Sequence, residues 1–239
     1  IITGSAAADV LTGYNDRDID AIMDRTKARP IPSGRITPRN AIIFGLFLAA
    51  ISLFCAWSIN YLTLGLMAFG LFDNIIVYSK WLKRKSQTNI ILGGFSGAVP
   101  ALIGYIAVTT ENIEIGLAMA ALVFFWIPTH IWSLALHVKN DYTKAGVPML
   151  PVVAGEKRSV QVIAGTTLLM VIISLIPYFF NQFGMIYFVT AILGGIVMIV
   201  TSLWLLARPS EKASWFLFKI SSPYLTALFV AFIVDAIFN

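Results

Sequence analysis

Lys80-Trp81-Leu82-Lys83-Arg84-Lys85 is a short basic stretch between two apolar runs, 61–79 and 90–108. Each run is close to the ~20 residues that cross a bilayer. Outward from it the pattern repeats. Runs at 40–59, 113–137, 160–180, 183–207 and 215–238 have similar lengths, and a shorter small-residue run occupies 1–14. All 17 Lys and Arg fall in four windows, 17–39, 80–85, 139–158 and 208–219. The intervening turns, at Asn60, 109–112 and 181–182, hold none. Every second connection is therefore basic. This is the positive-inside pattern of an all-α polytopic membrane protein, and it assigns the basic windows to the cytosolic side of a cell membrane.

Composition agrees. The chain of 239 residues is 58% hydrophobic and 12% charged, with mean hydropathy +0.83, about half the charge of a soluble domain. The net charge of +5 is spread over four loops, so it orients the chain and gives no reason to expect a nucleic-acid partner. A lone Cys55 excludes an internal disulfide and is expected as a small buried core residue. No cleavable signal peptide is visible. No composition shift marks a boundary, so 1–239 reads as a single membrane domain. The first residue is Ile, and a further helix is expected upstream. An acidic segment ends the helix at 1–16, and a second one, Lys139-Asn140-Asp141-Tyr142, ends the helix at 113–137. The echo predicts two four-helix halves, each presenting acids at its cytosolic rim.

The chemistry is concentrated in Asn15-Asp16-Arg17-Asp18-Ile19-Asp20-Ala21-Ile22-Met23-Asp24-Arg25-Thr26. Asp16, Asp20 and Asp24 are spaced i, i+4, i+8, which on one helix puts them on one face. Like charges at that spacing repel, so a cation between them is expected. Mg²⁺ suits carboxylate oxygens and shares its shell with phosphate. Arg25 and Arg29 follow at i, i+4 and can hold the remaining phosphate oxygens. Asp18 faces away from this set. His130 and His137, the only histidines, lie seven apart near the end of the helix at 113–137; each reads either as a helix-end structural histidine or as a contact to a large substrate. Tyr78 and Lys83-Arg84 close the helix at 61–79, as interface residues or as an anion site. Gly93 and Gly97 form a small-xxx-small pair suited to close helix packing. Asp9, Asp73, Asn74 and Asp235 sit at or within apolar runs. Acids there are functional candidates by default, and the sequence offers Asp73 and Asp235 no partner.

Taken together, these segments resemble the UbiA superfamily of intramembrane prenyltransferases, and within it the protoheme IX farnesyltransferases (heme O synthases). Asp16-Arg17-Asp18-Ile19-Asp20 with Met23, Arg25-Thr26 and Arg29-Pro30 resembles the first motif. Tyr78 to Arg84, then Asn89 to Gly104, resembles the middle segment. His130, Trp132, Ala135, Asp141-Tyr142, Ala145-Gly146 and Pro148 to Val152 resemble the second motif. The resemblance implies a UbiA-type bundle of nine transmembrane helices, about eight of them in this chain, around a cavity open to lipid. It implies farnesyl transfer from farnesyl diphosphate to a vinyl group of protoheme IX, giving heme O and diphosphate. It places Mg²⁺ on Asp16, Asp20 and Asp141, and substrate on Arg25, Arg29, Tyr78, Lys83, Arg84, Asn89, His130, Trp132 and Lys139. Distance along the helix separates His130 from the metal, so its expected role is contact with heme. Association with heme A synthase or terminal-oxidase assembly follows from the same likeness. Two departures stand out. Thr12 occupies the place of the superfamily's usual Asn, with Asn15 three residues on, and Ala145 follows Asp141 where many members carry a second Asp. The latter favours the heme branch. Two alternatives remain: the same diphosphate chemistry on an aromatic acid or lipid acceptor, and a cation transporter. Transporters place ionisable groups near the midplane, whereas these acids cluster at the rim.

Overall fold

The computed structural model describes residues 1–180 and 183–238, so the turn expected at 181–182 lies outside the described residues. Those residues hold helices and no strand. The helices are α1 (Ile2–Asn15), α2 (Arg17–Ile22), α3 (Pro38–Trp57), α4 (Tyr61–Phe72), α5 (Asn89–Leu92) and α6 (Gly94–Ile106). They continue as α7 (Ile113–His137), α8 (Lys139–Lys144), α9 (Leu150–Val153), α10 (Gly155–Leu175), α11 (Met185–Ala207) and α12 (Glu211–Phe238). Seven helical stretches are long and apolar enough to cross a membrane, and they coincide with the seven long apolar runs. The protein is multi-pass. The eighth run forms α1, only 14 residues long, packed against α3.

The bundle has a membrane protein's inverted surface. Leu46, Phe47, Leu193, Val200 and Ile233 point outward and are more than half exposed. The interior takes small residues and hydroxyls that answer helix carbonyls: Ser133 Oγ donates to Thr129 O at 2.6 Å and Thr167 Oγ1 to Ile163 O at 2.8 Å. In lipid each such group must be satisfied internally. Gly93 and Gly97 act as predicted. A Cβ at Gly97 would come within 2.7 Å of Ile127, and one at Gly93 within 2.6 Å of Tyr78. Two hydrophobic clusters exist, one from α1, α3, α4 and α6, the other centred on α7, α10, α11 and α12. They match the two expected halves, with α6 against α7 joining them.

Two intramembrane acids that lacked a partner in the sequence turn out to cap helices from outside. Asp235 accepts from the backbone N–H of Ile186 (3.3 Å) and Tyr187 (2.7 Å) at the start of α11. Asp73 accepts from Ser96 N at 2.9 Å in the first turn of α6. Both are N-cap arrangements supplied by a neighbouring helix. Asp235→Leu orphans two amides, at about 1–3 kcal/mol each, whereas Asp235→Asn keeps an acceptor. Thermal unfolding in detergent should show a lower Tm for the leucine variant and a small change for the asparagine one. Equal values would mean the amides find other partners.

Three local expectations are corrected. Residues 80–82 are not loop: α4 continues as a π-helix, Asp73–Leu82, closed by Lys83 N to Tyr78 O at 2.8 Å. The stretch 138–159 is likewise not plain loop, because α8, α9 and the start of α10 lie within it. Cys55 is exposed on the outer face of α3 rather than in the core, because Ser52 and Ala56 take that helix's inward positions.

Candidate active site

The acidic segment is not one continuous helix. α1 stops at Asn15, Asp16 takes φ −93° and ψ 3°, and α2 resumes at Arg17. Asp20 N still donates to Asp16 O at 2.8 Å, so these two acids remain one turn apart. Both are buried, with Asp16 1% and Asp20 3% exposed. Asp24 does not continue the row. Met23 is extended and ends α2, leaving Asp24 exposed and paired with Lys27 (2.6 Å) and Lys144 (3.1 Å). Those two ammonium groups hold its carboxyl below the usual carboxylate value.

Each buried acid has its own cation. Asp16 accepts from Ser79 Oγ at 3.2 Å and forms an ion pair with Lys83, itself largely buried. Burial works against the Lys83 ammonium, but Tyr78 and Asp16 outweigh it and hold its pKa above the ordinary lysine value. Asp20 accepts from Arg29 Nη1 at 2.8 Å, and Thr26 Oγ1 donates to the Asp20 carbonyl at 3.0 Å. The π-helix makes the first arrangement possible. In an α-helix, residues five apart point about 140° away from each other. The wider turn brings Tyr78, Ser79 and Lys83 together, with the Lys83 ammonium 5.7 Å from the Tyr78 ring centroid. Single π segments are common at functional sites. Ser79 has no role legible in the sequence, because nothing in the local pattern signals a π-helix.

Asp16, Asp20, Arg25, Arg29, Tyr78 and Lys83 share one wall of a cavity of about 1000 Å³. Phe44, Ile131 and Leu134 are among the apolar residues that line its remainder. The volume is at the upper end for a small-molecule site. Asp141 reaches the same region across 116 residues of sequence, its Oδ2 accepting from Arg25 N at 3.1 Å. It therefore fixes the backbone beside Arg25, and Lys139, half-buried, begins the same helix, α8. Thr12 also lines the cavity, and its hydroxyl donates to Asn74 Oδ1 at 2.7 Å. Asn15 turns away to donate to Ile75 O at 3.1 Å.

The other candidate residues lie elsewhere. Arg84 grips Asp18 through two bonds of 2.7 and 2.6 Å and donates to Asn15 O at 2.8 Å, outside the cavity wall. The guanidinium hydrogen bond holds the Asp18 pKa at about 2. That tether is present above the ordinary carboxyl value and is lost as pH falls through about 2. Exposed pairs contribute only ~0–1 kcal/mol, so Asp18→Asn should cost less than about fivefold in turnover. A loss as large as that of Asp16→Asn would place Asp18 in the cavity after all. Asn89 is fully buried, its Nδ2 against Met149 Sδ at 3.7 Å and its Oδ1 without a partner. Trp132 is buried with Nε1 unpaired. His130 points to α12: its ring stacks between Trp126 and Phe218, and Nδ1 shares a 2.8 Å hydrogen bond with Ser221 Oγ. His137 stacks on Trp215, its Nδ1–H directed at Glu211 O.

Among the described residues no three His, Cys, Asp or Glu side chains converge as a preformed metal cage. The donors present fit a different arrangement. Mg²⁺ usually keeps one or two protein carboxylates and completes its shell with substrate phosphate and water. Asp16 and Asp20, one turn apart at a cavity wall with Arg and Lys beside them, suit an ion that arrives with a diphosphate.

The chain matches the UbiA prenyltransferase family over residues 1–232. Protoheme IX farnesyltransferase 2 of Cenarchaeum symbiosum (strain A) is 49% identical to it, across 99% of this chain and 81% of the relative. A solved structure of digeranylgeranylglyceryl phosphate synthase superposes with TM-score 0.82 at 24% identity, covering 99% of this chain and 83% of the other. A UbiA homologue from Archaeoglobus fulgidus, solved with DMAPP and Mg²⁺, gives TM-score 0.59 at 19% identity, covering 97% and 84%. At these identities the two structures establish the fold.

Proposed function

The chain belongs to the UbiA prenyltransferase family, and we propose that it transfers a farnesyl group from farnesyl diphosphate to a vinyl group of protoheme IX, giving heme O and diphosphate. The observation that carries this reading is the cavity: two buried acids backed by Lys83 and Arg29 on one wall, apolar side chains beyond. Such a space suits a long apolar chain bearing a polyanionic head. The farnesyl acceptor and donor come from the relative at 49% identity. Asp16, Asp20 and Asp141 gather at one rim, whereas transporters place their substrate and ion sites near the midplane.

Asp16 and Asp20 would hold Mg²⁺, and Asp141 would complete the site from α8, directly or by fixing the backbone at Arg25. Mg²⁺, when bound, neutralises charge on the departing diphosphate. Arg25, Arg29 and Lys83 supply donors for phosphate oxygens. Tyr78 stands over the Lys83 ammonium and orients it. The apolar wall at Phe44, Ile131 and Leu134 keeps water from the allylic cation. The basic windows support a cytosolic location for this rim at the cell membrane, where the diphosphate substrate is soluble. Heme A synthase or terminal-oxidase assembly would receive the product.

The test is direct. The purified protein is incubated with farnesyl diphosphate, Mg²⁺ and heme, and the product identified by mass. Farnesylated heme is expected only with all three components. Transfer to an aromatic acid or lipid in preference to heme would overturn the reading.

A further inference from the structure

A second cavity, of about 290 Å³, adjoins the first, and Asp9 lines both. Asp9 is exposed rather than packed, and among the described residues it enters no ion pair. It lies seven residues before Asp16 on α1, on nearly the same face and ~10 Å deeper along the axis. An accessible carboxylate at that depth is costly unless it faces water or has a task. The second cavity has room for several waters, with Ser5, Asp9, Asn74 and Ser96 as polar partners on an otherwise apolar lining. Asn74 lines it and donates to Ser96 Oγ at 3.3 Å, while receiving the Thr12 hydroxyl from the first cavity. A hydrogen-bonded bridge thus joins the two spaces.

The proposed reaction has conflicting needs for water. When C1 of farnesyl diphosphate ionises, its bond to diphosphate oxygen breaks, and water at that point would quench the allylic cation. The outer vinyl carbon of heme then donates its π electrons to C1, forming the new carbon–carbon bond. The positive charge moves to the inner vinyl carbon. Heme O carries a hydroxyl there, so a water oxygen must add and one proton must leave. Water is harmful at the first step and a reactant at the second. Separate cavities resolve the conflict.

We propose that the cavity beside Asp9 supplies this water and that the Asp9 carboxylate accepts its proton, as the general base of the hydration step. The balance is farnesyl diphosphate, vinyl and water going to the prenylated alcohol, diphosphate and a proton carried by Asp9. The inference rests on the heme-farnesylating reading and adds a base to it. Without the base, the same cation resolves by losing a proton from carbon, giving an alkene lighter than the alcohol by one water.

The experiment compares wild-type protein, Asp9→Asn and Asp9→Glu with farnesyl diphosphate, Mg²⁺ and heme in isotopically labelled water. Products are separated by mass. Wild type should give alcohol carrying the label. Asp9→Asn should lower the ratio of alcohol to alkene by roughly 10²-fold, the lower range for a general base, and Asp9→Glu should restore much of it. A partition ratio is not moved by a purely structural defect. Thermal unfolding and farnesyl diphosphate binding, run in parallel, establish that each variant folds. Asp9→Asn giving the wild-type ratio overturns the proposal and leaves the functional reading standing. Asp9→Asn that loses fold and ligand binding together, with no rescue in Asp9→Glu, also overturns it, since Asp9 would then serve structure. A wild-type protein that farnesylates no heme overturns the functional reading first, and this inference with it.

Discussion

Asp16→Asn and Asp20→Asn are each expected to lower the rate of farnesyl transfer by about 10²–10³, the usual cost of losing one element that stabilises departing negative charge. The substitution keeps the side chain's shape and removes its charge, so the loss reports on metal and diphosphate rather than on packing. The two positions should differ in stability. Asp16 and Lys83 are both largely buried, and Asp16→Asn leaves the ammonium without its partner, a change that costs about 3–5 kcal/mol when a buried pair is broken. Arg29, the partner of Asp20, is about half exposed and can turn to water. Asp20→Asn should therefore lose activity with little change in Tm, and Asp16→Asn should lose both. Single-turnover kinetics with a thermal melt on each variant separates the two. Wild-type rates in either variant would remove that acid from the diphosphate site.

The architecture was legible in the sequence because it follows from one-dimensional quantities. Run length against bilayer thickness gave the spans, and the spacing of Lys and Arg gave their pairing. The site was legible in part. Asp16 and Asp20 were found because a one-turn spacing survives the break between α1 and α2. Asp24 was misplaced because that break, and the extended Met23, are tertiary choices that helix periodicity cannot show. Tyr78 and Lys83 read as interface residues or an anion site, while Ser79 carried no role, since only the π-helix explains why all three face Asp16. Asp73 and Asp235 lacked a reading because their partners are backbone amides of other helices. His130 is legible only in part. Its spacing suggested a heme contact, yet helix rotation turns it to α12, where Trp126, Phe218 and Ser221 satisfy it.

Lys83→Met is the complementary experiment. In the structure Lys83 is the counter-ion of Asp16. A metal–diphosphate complex brings both a cation for Asp16 and an anion for Lys83. The pair should then open, Asp16 going to the metal and Lys83 to a phosphate oxygen. Lys83→Met removes a donor to the leaving group, so turnover should fall by about 10²-fold. It also leaves Asp16 buried and unpaired in the ligand-free protein. The variant should therefore melt below wild type without ligand and gain more than wild type from Mg²⁺ with diphosphate, because binding now supplies the missing cation. Alkaline pH is no substitute for the mutation. The folded-state pKa of Lys83 is raised above 10.5, so the pair contributes fully below that value and is lost only as pH rises through the higher one. Across neutral pH the wild-type pair stays formed. Equal ligand-induced gains in Tm for Lys83→Met and wild type would show that the bound cation does not take over from Lys83 at Asp16, and the exchange of partners would have to be abandoned.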